Sequence, residues 1–409
     1  MKDLVARDAA SFFRQTSSTP VGAALRSVNG IWIEDIQGNR LVDLHGNTAH
    51  HLGHAHPRLI AALKQQLDEL AFCPRRYTNE PAVLLAERLR ELWPGADARV
   101  LFATGGSDAI EIAIRLCRVA TKRSFVIAFE GSYHGHGHGS LALSKAALDP
   151  RLGPKLPGIH HVTPYWLNPV QSLTEIEDAL KSPSDRVACL VAEPLRSSCI
   201  TPPVNYWKEV RTLCTRHGAL LVFDEIPSGL GKTGKFFAFE HFGVVPDAAV
   251  LGKSLGGGIV PIAAVIADAA LDVAPELDIG HYTHEKNPFT SRAALTTLDI
   301  IAEEDLIARA SDLGAFALDE MAALARRNPF FKGGRGLGLL LALELAGEET
   351  RSRAAALARA AVNFGISAVT KPFGAIGFSP PLTITRDQIV MTLDRLDKCA
   401  RFLESWRVS

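Results

Sequence analysis

Short apolar runs that alternate with helix-like stretches limit this chain more than any other feature. RVLFA (99–103), SFVIAF (124–129), VACLVA (187–192), ALLVFD (219–224), AAVL (248–251) and IAAVIA (262–267) read as buried strands. Between several of them lie amphipathic stretches, among them 107–122 and 204–218, the second stopped by Gly218. Strand–helix alternation predicts an α/β sheet, mostly parallel, with helices on both faces. Open sheets of that kind bind ligands at the carboxyl ends of their strands.

The two chain ends follow a different pattern. IWIEDIQGNRLVDL (31–44) reads as a hairpin turning at Gly38-Asn39. From about residue 295 long helices give way to GRGLGLLLALEL (334–345), another helix, and GFSPPLTIT (377–385). The expected organisation is a large domain of 46–294, with 1–45 and 295–409 forming a smaller α+β domain from both ends. A chain of 409 residues, 47% hydrophobic, has material for such a division.

Charge and cysteine usage exclude some functions. Lys plus Arg and Asp plus Glu are each 44, which gives no support to nonspecific binding of nucleic acid or an acidic membrane. Six cysteines, at 73, 117, 189, 199, 214 and 399, form no C-x-x-C pair and point to a reducing, cytoplasmic compartment. No run of 18 apolar residues predicts a membrane span, and MKDLVARDAASFFRQ lacks the apolar run of a signal peptide.

Three segments carry candidate chemistry. In VLGKSLGGG (250–258), Lys253 follows a buried strand and precedes a glycine cluster; partial desolvation there would make it a usable amine nucleophile. Taken alone, it reads first as an ordinary solvated loop lysine, since lysine is rarely buried. Asp224 ends an apolar run, where a carboxylate requires a cationic partner such as a protonated pyridine nitrogen, or else caps the next turn. In ATGGSDAIEIAIR (103–115), Gly105, Gly106 and Ser107 lie between strand and helix, where backbone N–H groups bind phosphate or Ser107 serves as a plain cap. An aldehyde-reactive lysine, a carboxylate for a pyridinium and a phosphate cup together describe pyridoxal 5′-phosphate (PLP).

Other motifs fail. GLGKTG (229–234) matches G-x-G-x-x-G but neither follows its strand directly nor opens a helix. A Walker phosphate loop would need glycines where Ile226 and Asp247 stand. SYHGHGHG (132–139) places His134, His136 and His138 at alternate positions, yet no further metal ligands are marked; no metal is expected there.

With these residues in place, the chain resembles the class III aminotransferases, a branch of fold-type I PLP enzymes, from about residue 20 to 400. The densest part is LVFDEIPSGLGKTGKFFAFEHFGVVPDAAVLGKSLGGG (221–258). The resemblance implies a fold-type I large domain with a smaller domain beside it. It implies that Lys253 is the Schiff-base lysine, Asp224 the partner of the pyridine nitrogen, and Ile226 a contact on the ring face. It further implies that Gly105, Gly106 and Ser107 hold the phosphate, that Tyr133 stacks on the cofactor beside His134, and that Glu193 lies near Asp224. Thr283 would reach the phosphate of a neighbouring subunit, which implies a homodimer with shared active sites.

Departures from the family pattern bear on the substrate, a small-molecule amine. Pro227 stands where the family often has Gln, and Arg196-Ser197 where it has Gln-Gly. The arginine that clamps an α-carboxylate is replaced, at the matching position, by Gly377. Arg75 and Arg76 lie where relatives place substrate contacts, and with Arg196 they suit a carboxylate, phosphate or phosphonate. Class membership favours transamination; elimination from an aminophosphonate or phosphoethanolamine-like substrate is the alternative, and racemisation uses the same core residues.

Overall fold

A computed structural model of the chain describes residues 4–13, 15, 22–144, 149–154, 156–184 and 186–405. The chain divides into two units, one of Pro57–Ala310 and one of Met1–His56 with Ser311–Ser409.

In the second of these, β1 (Leu25–Asn29), β2 (Trp32–Asp35) and β3 (Arg40–Asp43) form an antiparallel meander. The turn between β2 and β3 is held by Asp35, whose carboxylate accepts the backbone N–H of Gln37 and Asn39 and the Asn39 side chain. Gly38 takes a φ of 90°, which glycine reaches without a Cβ penalty.

The unit Pro57–Ala310 holds β4 (Ala98–Ala103), β5 (Phe125–Phe129), β6 (Ile159–Val162), β7 (Val187–Ala192), β8 (Leu220–Asp224), β9 (Ala248–Leu251) and β10 (Ala263–Asp268). They make one sheet in the order β4-β10-β9-β8-β7-β5-β6. Every residue of β7 and β9 is buried, as the unbroken apolar runs require. Helix Gly106–Thr121 lays seven buried residues into this core, including Ile110, Ala113 and Cys117.

The parallel expectation holds along β6-β5-β7-β8-β9 and fails at β10, which is antiparallel to both β9 and β4. A parallel neighbour needs a crossover of a dozen or more residues, usually helical. Residues 252–262 supply only a single 3₁₀ turn, Lys253–Gly256, so the chain reverses instead. β6 is a strand that the apolar-run reading missed, because IHHV mixes histidines with apolar residues.

Toward the C-terminus come β11 (Phe331–Leu337), β12 (Leu340–Leu345), β13 (Ile366–Ser367), β14 (Thr370–Lys371) and β15 (Ala375–Phe378). The stretch 334–345 is thus most of a hairpin, and it sits in a sheet ordered β11-β12-β15-β14. β13 pairs parallel with β3, Ile366 opposite Val42, so both chain ends share one sheet. Among the described residues no helix is long and apolar enough to cross a membrane, and all six cysteines are free.

Candidate active site

β10 being antiparallel, Ala103 pairs with Ala263 and Leu251 with Ala264, so β4 ends on the same side of the sheet as β9. The loops after β4, β5, β7, β8 and β9 therefore gather along one edge, where an open sheet takes its ligand.

Asp224 is the last residue of β8 and is buried. Its Oδ2 lies 2.8 Å from Nδ1 of His134, in the loop after β5. The two side chains are 3% and 0% exposed, which makes this a desolvated pair. Nε2 of His134 is buried without a hydrogen-bond partner among the described residues. The ring is therefore best satisfied with its proton on Nδ1, donated to Asp224. The second oxygen of Asp224 accepts the backbone N–H of Ile226 at 3.1 Å, so the carboxylate is held from two sides.

Glu193 follows β7 and is buried as well. Burial, reinforced by the negative charge of Asp224, pushes its pKa above the ordinary glutamate value. Its Oε1 accepts the Ser197 N–H at 3.2 Å. Glu225, next to Asp224, faces the other way: it accepts Ser228 Oγ at 2.7 Å and the Phe239 N–H at 2.9 Å, and burial raises its pKa to about 7. Of three adjacent buried carboxyls, only Asp224 has a histidine on it.

Lys253 sits between Gly252 and Ser254, three residues beyond Val250, which pairs with Asp224. Its φ of 48° is left-handed, uncommon for a side chain with a Cβ and a known form of strain at functional sites. The side chain is exposed, not partly desolvated as the sequence suggests. The left-handed turn at the end of β9 carries it out of the apolar strand environment.

Glycines mark how tightly the loops meet. A Cβ on Gly106 would come within 2.7 Å of Ile226 Cδ1, and one on Gly252 within 3.4 Å of Ile226 Cγ1. Ile226 therefore fills the space between the turn after β4 and the turn before Lys253. Helix Gly106–Thr121 has Gly105 as its N-cap, with no side chain accepting from its first turn. That leaves its leading N–H groups for an anion. Ser107 Oγ instead receives the N–H of His136 at 3.1 Å.

The glycines of the tract SYHGHGHG are explained by this helix. A Cβ on Gly135 would collide with Ser107. On Gly137 or Gly139 it would come within 2.6 Å of the Glu111 carboxylate, which accepts the Ser140 N–H at 2.8 Å. Ser107 and Glu111, one helical turn apart, thus dictate glycine at alternate positions of the facing loop. The histidines diverge: His134 goes to Asp224, His136 packs edge-on against Tyr133, and His138 opens helix His138–Ser144. Tyr133 is exposed beside them. Glu111 was missed in the sequence; its signal was the glycine spacing opposite an acidic residue on the helix.

The arginines have different fates. Arg75 is engaged: its Nε lies 2.8 Å from Glu285, and it also contacts Asp278 and His281. It lines a cavity of about 310 Å³ beside β4 and β10, together with Arg99, Asp268 and Glu285, and none of Lys253, Asp224 or Ser107 lines that cavity. Arg76 is exposed on the same segment. Arg196, after β7, lies over the Trp166 ring at 4.2 Å and donates to the Gly131 carbonyl, two residues before Tyr133. Thr283 is exposed on the loop between β10 and helix Pro288–Glu303. Pro227 is buried, and Gly377 lies in β15, where a Cβ would meet Lys371 Cε at 2.9 Å.

The family model for class-III aminotransferases matches residues 13–400. Among curated proteins, the (R)-1-hydroxy-2-aminoethylphosphonate ammonia-lyase of Vibrio splendidus is 32% identical over 97% of this chain and 89% of that protein. The acetylornithine aminotransferase of Mycobacterium leprae is 36% identical over 89% of this chain and 87% of its own length. Of solved structures, the ornithine aminotransferase of Toxoplasma gondii, described with partial occupancy of PLP at its active site, superposes with a TM-score of 0.88 at 28% identity and covers all of this chain and 96% of its own. With a family model spanning nearly its whole length and the fold of a fold-type I transaminase, this chain belongs to the class-III aminotransferases.

Proposed function

We propose that the chain is a PLP-dependent aminotransferase for a small amine or amino acid, held without the usual arginine clamp on an α-carboxylate. The observation that carries this reading is the pairing of adjacent parallel strand ends. β8 delivers a buried, histidine-held carboxylate, and β9 delivers a strained lysine three residues past its register partner.

The donor set fits PLP. The uncapped helix start at Gly105, Gly106 and Ser107 suits the phosphate, and Asp224 suits a protonated ring nitrogen. Ile226 and Tyr133 offer an apolar and an aromatic surface for the ring, and Lys253 supplies the amine. Bound PLP withdraws electrons from the substrate carbon that bears the amine.

The chain's own residues do the rest. His134 keeps Asp224 oriented, so that its carboxylate can face a protonated ring nitrogen. Lys253 Nζ takes the proton from the amine-bearing carbon and returns it elsewhere, a general base on an exposed stem. Glu193, whose pKa is raised by burial and by the charge of Asp224, is held beside the pair by the Ser197 N–H. Arg196 provides a cationic group for an anionic substrate end, with Arg76 on its separate segment a second candidate, while Arg75 is taken up by Glu285. Thr283 completes the phosphate site of a second copy, so the working form is a homodimer.

A second reading, an ammonia-lyase or phospho-lyase on an aminophosphonate or phosphoethanolamine-like substrate, is favoured by one specific observation. The Vibrio splendidus relative matches this chain almost end to end. Pro227, buried where a glutamine side chain would hydrogen-bond, points the same way.

The test offers the PLP-loaded enzyme 2-aminoethylphosphonate, its 1-hydroxy derivative, phosphoethanolamine and a diamine, each with and without pyruvate. Alanine formed only with pyruvate supports transamination. Ammonia released without any keto acid overturns it in favour of the lyase. Lys253→Ala should lose the visible absorbance of lysine-bound cofactor; an unchanged band would remove Lys253 from its assigned role.

A further inference from the structure

A second cluster of chemistry-bearing side chains lies in the unit that holds the chain ends, and the proposed reaction does not use it. We propose that Asp43, His50 and His54 form a binding site for a divalent transition-metal ion of the zinc class. Asp43 is the last residue of β3. Its Oδ1 accepts the backbone N–H of His45 at 3.0 Å and of Gly46 at 2.9 Å, which fixes the carboxylate plane. Its Oδ2 is thereby aimed at Nε2 of His54, 2.9 Å away, with Nε2 of His50 at 4.0 Å. The three ligand atoms lie within 4.8 Å of one another. Tetrahedral zinc, with bonds of about 2.0–2.1 Å to nitrogen and oxygen, separates its ligands by about 3.4 Å. To close on an ion the set contracts by at most about 1.4 Å at its widest and opens by about 0.5 Å between Asp43 Oδ2 and His54 Nε2.

The loop is shaped to bring these groups together. Asn47 and Thr48 both take left-handed φ, 50° and 56°, which folds the chain back on Asp43. Gly46 is required because a Cβ there would run into the His50 imidazole. The two imidazole centroids end 5.0 Å apart at an interplanar angle of 40°. Asp43 and His50 are buried, while the His54 side chain is 20% exposed and gives an ion its way in.

Two imidazoles and one carboxylate favour zinc-like ions over calcium or magnesium, which take oxygen ligands. Binding exchanges existing bonds for metal bonds, with no redox change. Nε2 of His50 gives up its contact with the Asp43 carbonyl at 3.3 Å, and Nε2 of His54 its contact with the carboxylate. In each neutral ring the proton resides on Nδ1 when Nε2 binds the ion; a charged ring releases one proton to solvent.

The test uses the untagged, PLP-loaded full chain, stripped with a chelator and dialysed against zinc chloride, with bound metal measured by mass spectrometry. The wild type should retain one zinc per chain. His50→Gln and His54→Gln should each weaken retention at least tenfold, and the double variant His136→Gln/His138→Gln should bind as the wild type does. Zinc should raise the melting temperature of the wild type and not of His50→Gln, which decides the matter if His54→Gln fails to fold. A wild type that retains no zinc, or His50 and His54 variants that retain it undiminished, overturns the site.

Discussion

Two aspartates in this chain end a strand and are met by a histidine at hydrogen-bond distance, Asp224 by His134 and Asp43 by His54. The pairs differ in what surrounds them. At Asp224 both side chains are sealed off, with one histidine, one backbone donor and two further buried carboxyls as neighbours. At Asp43 the histidine is partly open to water, a second histidine stands by, and two backbone N–H groups hold the other oxygen. The same pair of residue types thus does two jobs. Sealed and single, it presents a fixed negative charge to a ligand that brings its own proton; open and doubled, it offers converging lone pairs. Environment, not residue type, separates them.

The largest expected effect follows from that contrast. Asp224→Asn keeps the shape and removes the charge. It should lower kcat/KM by roughly a thousandfold, within the usual range for a group that controls a proton in the transition state. Asp43→Asn should leave kcat within a fewfold of wild type. Steady-state kinetics on the amine substrate check both, and equal losses would erase the distinction between the two pairs.

Stability should separate them next. His134→Ala leaves the buried Asp224 carboxylate without its side-chain hydrogen bond, at a cost of about 1.5–3 kcal/mol. His54→Ala exposes Asp43 to water that can replace the lost bond, and about 1 kcal/mol is expected. Urea denaturation of both variants at neutral pH measures the difference.

Much of this was legible in the chain itself. The apolar runs placed the central strands to within a residue or so, because strands buried on both faces leave no alternation to misread. Asp224 and Lys253 stood out because each follows such a run, where a charge needs a reason. What stayed hidden depends on pairing across the fold. Nothing local says that His134 reaches Asp224 across 90 positions, or that Arg75 spends itself on Glu285 across 210. The reversal of β10 and the histidine-rich β6 were also out of reach, since strand direction and edge position are set by neighbours and not by the run.

Glu225 sharpens the contrast through pH. It is buried beside Asp224 without a histidine, and its pKa rises from 4.5 to about 7. The folded chain therefore holds this proton more tightly than the unfolded chain does. The resulting stabilisation is full below about pH 4.5 and is lost as pH climbs through about 7, an amount of about 3 kcal/mol. Glu225→Gln keeps both hydrogen bonds, with the amide donating to Ser228 and the carbonyl accepting from Phe239. It should flatten the fall in melting temperature over that window; an unchanged pH profile would mean that Glu225 is not the group responsible.

The smallest expected effect concerns Arg196, in the segment after β7. Its guanidinium rests on Trp166 and holds the Gly131 carbonyl, and through that loop it sets where Tyr133 and His134 begin. If it also meets the anionic end of the substrate, Arg196→Lys should raise KM for a phosphonate-bearing amine about tenfold, because a point charge loses the forked donor geometry. KM for a diamine should then stay near the wild-type value. A purely positioning role predicts the reverse signature. Both substrates would lose kcat together and KM would hardly move, since a displaced loop misplaces His134 for every substrate alike. The split between KM and kcat across two substrates of opposite charge therefore tells whether the sealed aspartate pair is braced by Arg196 or merely neighboured by it.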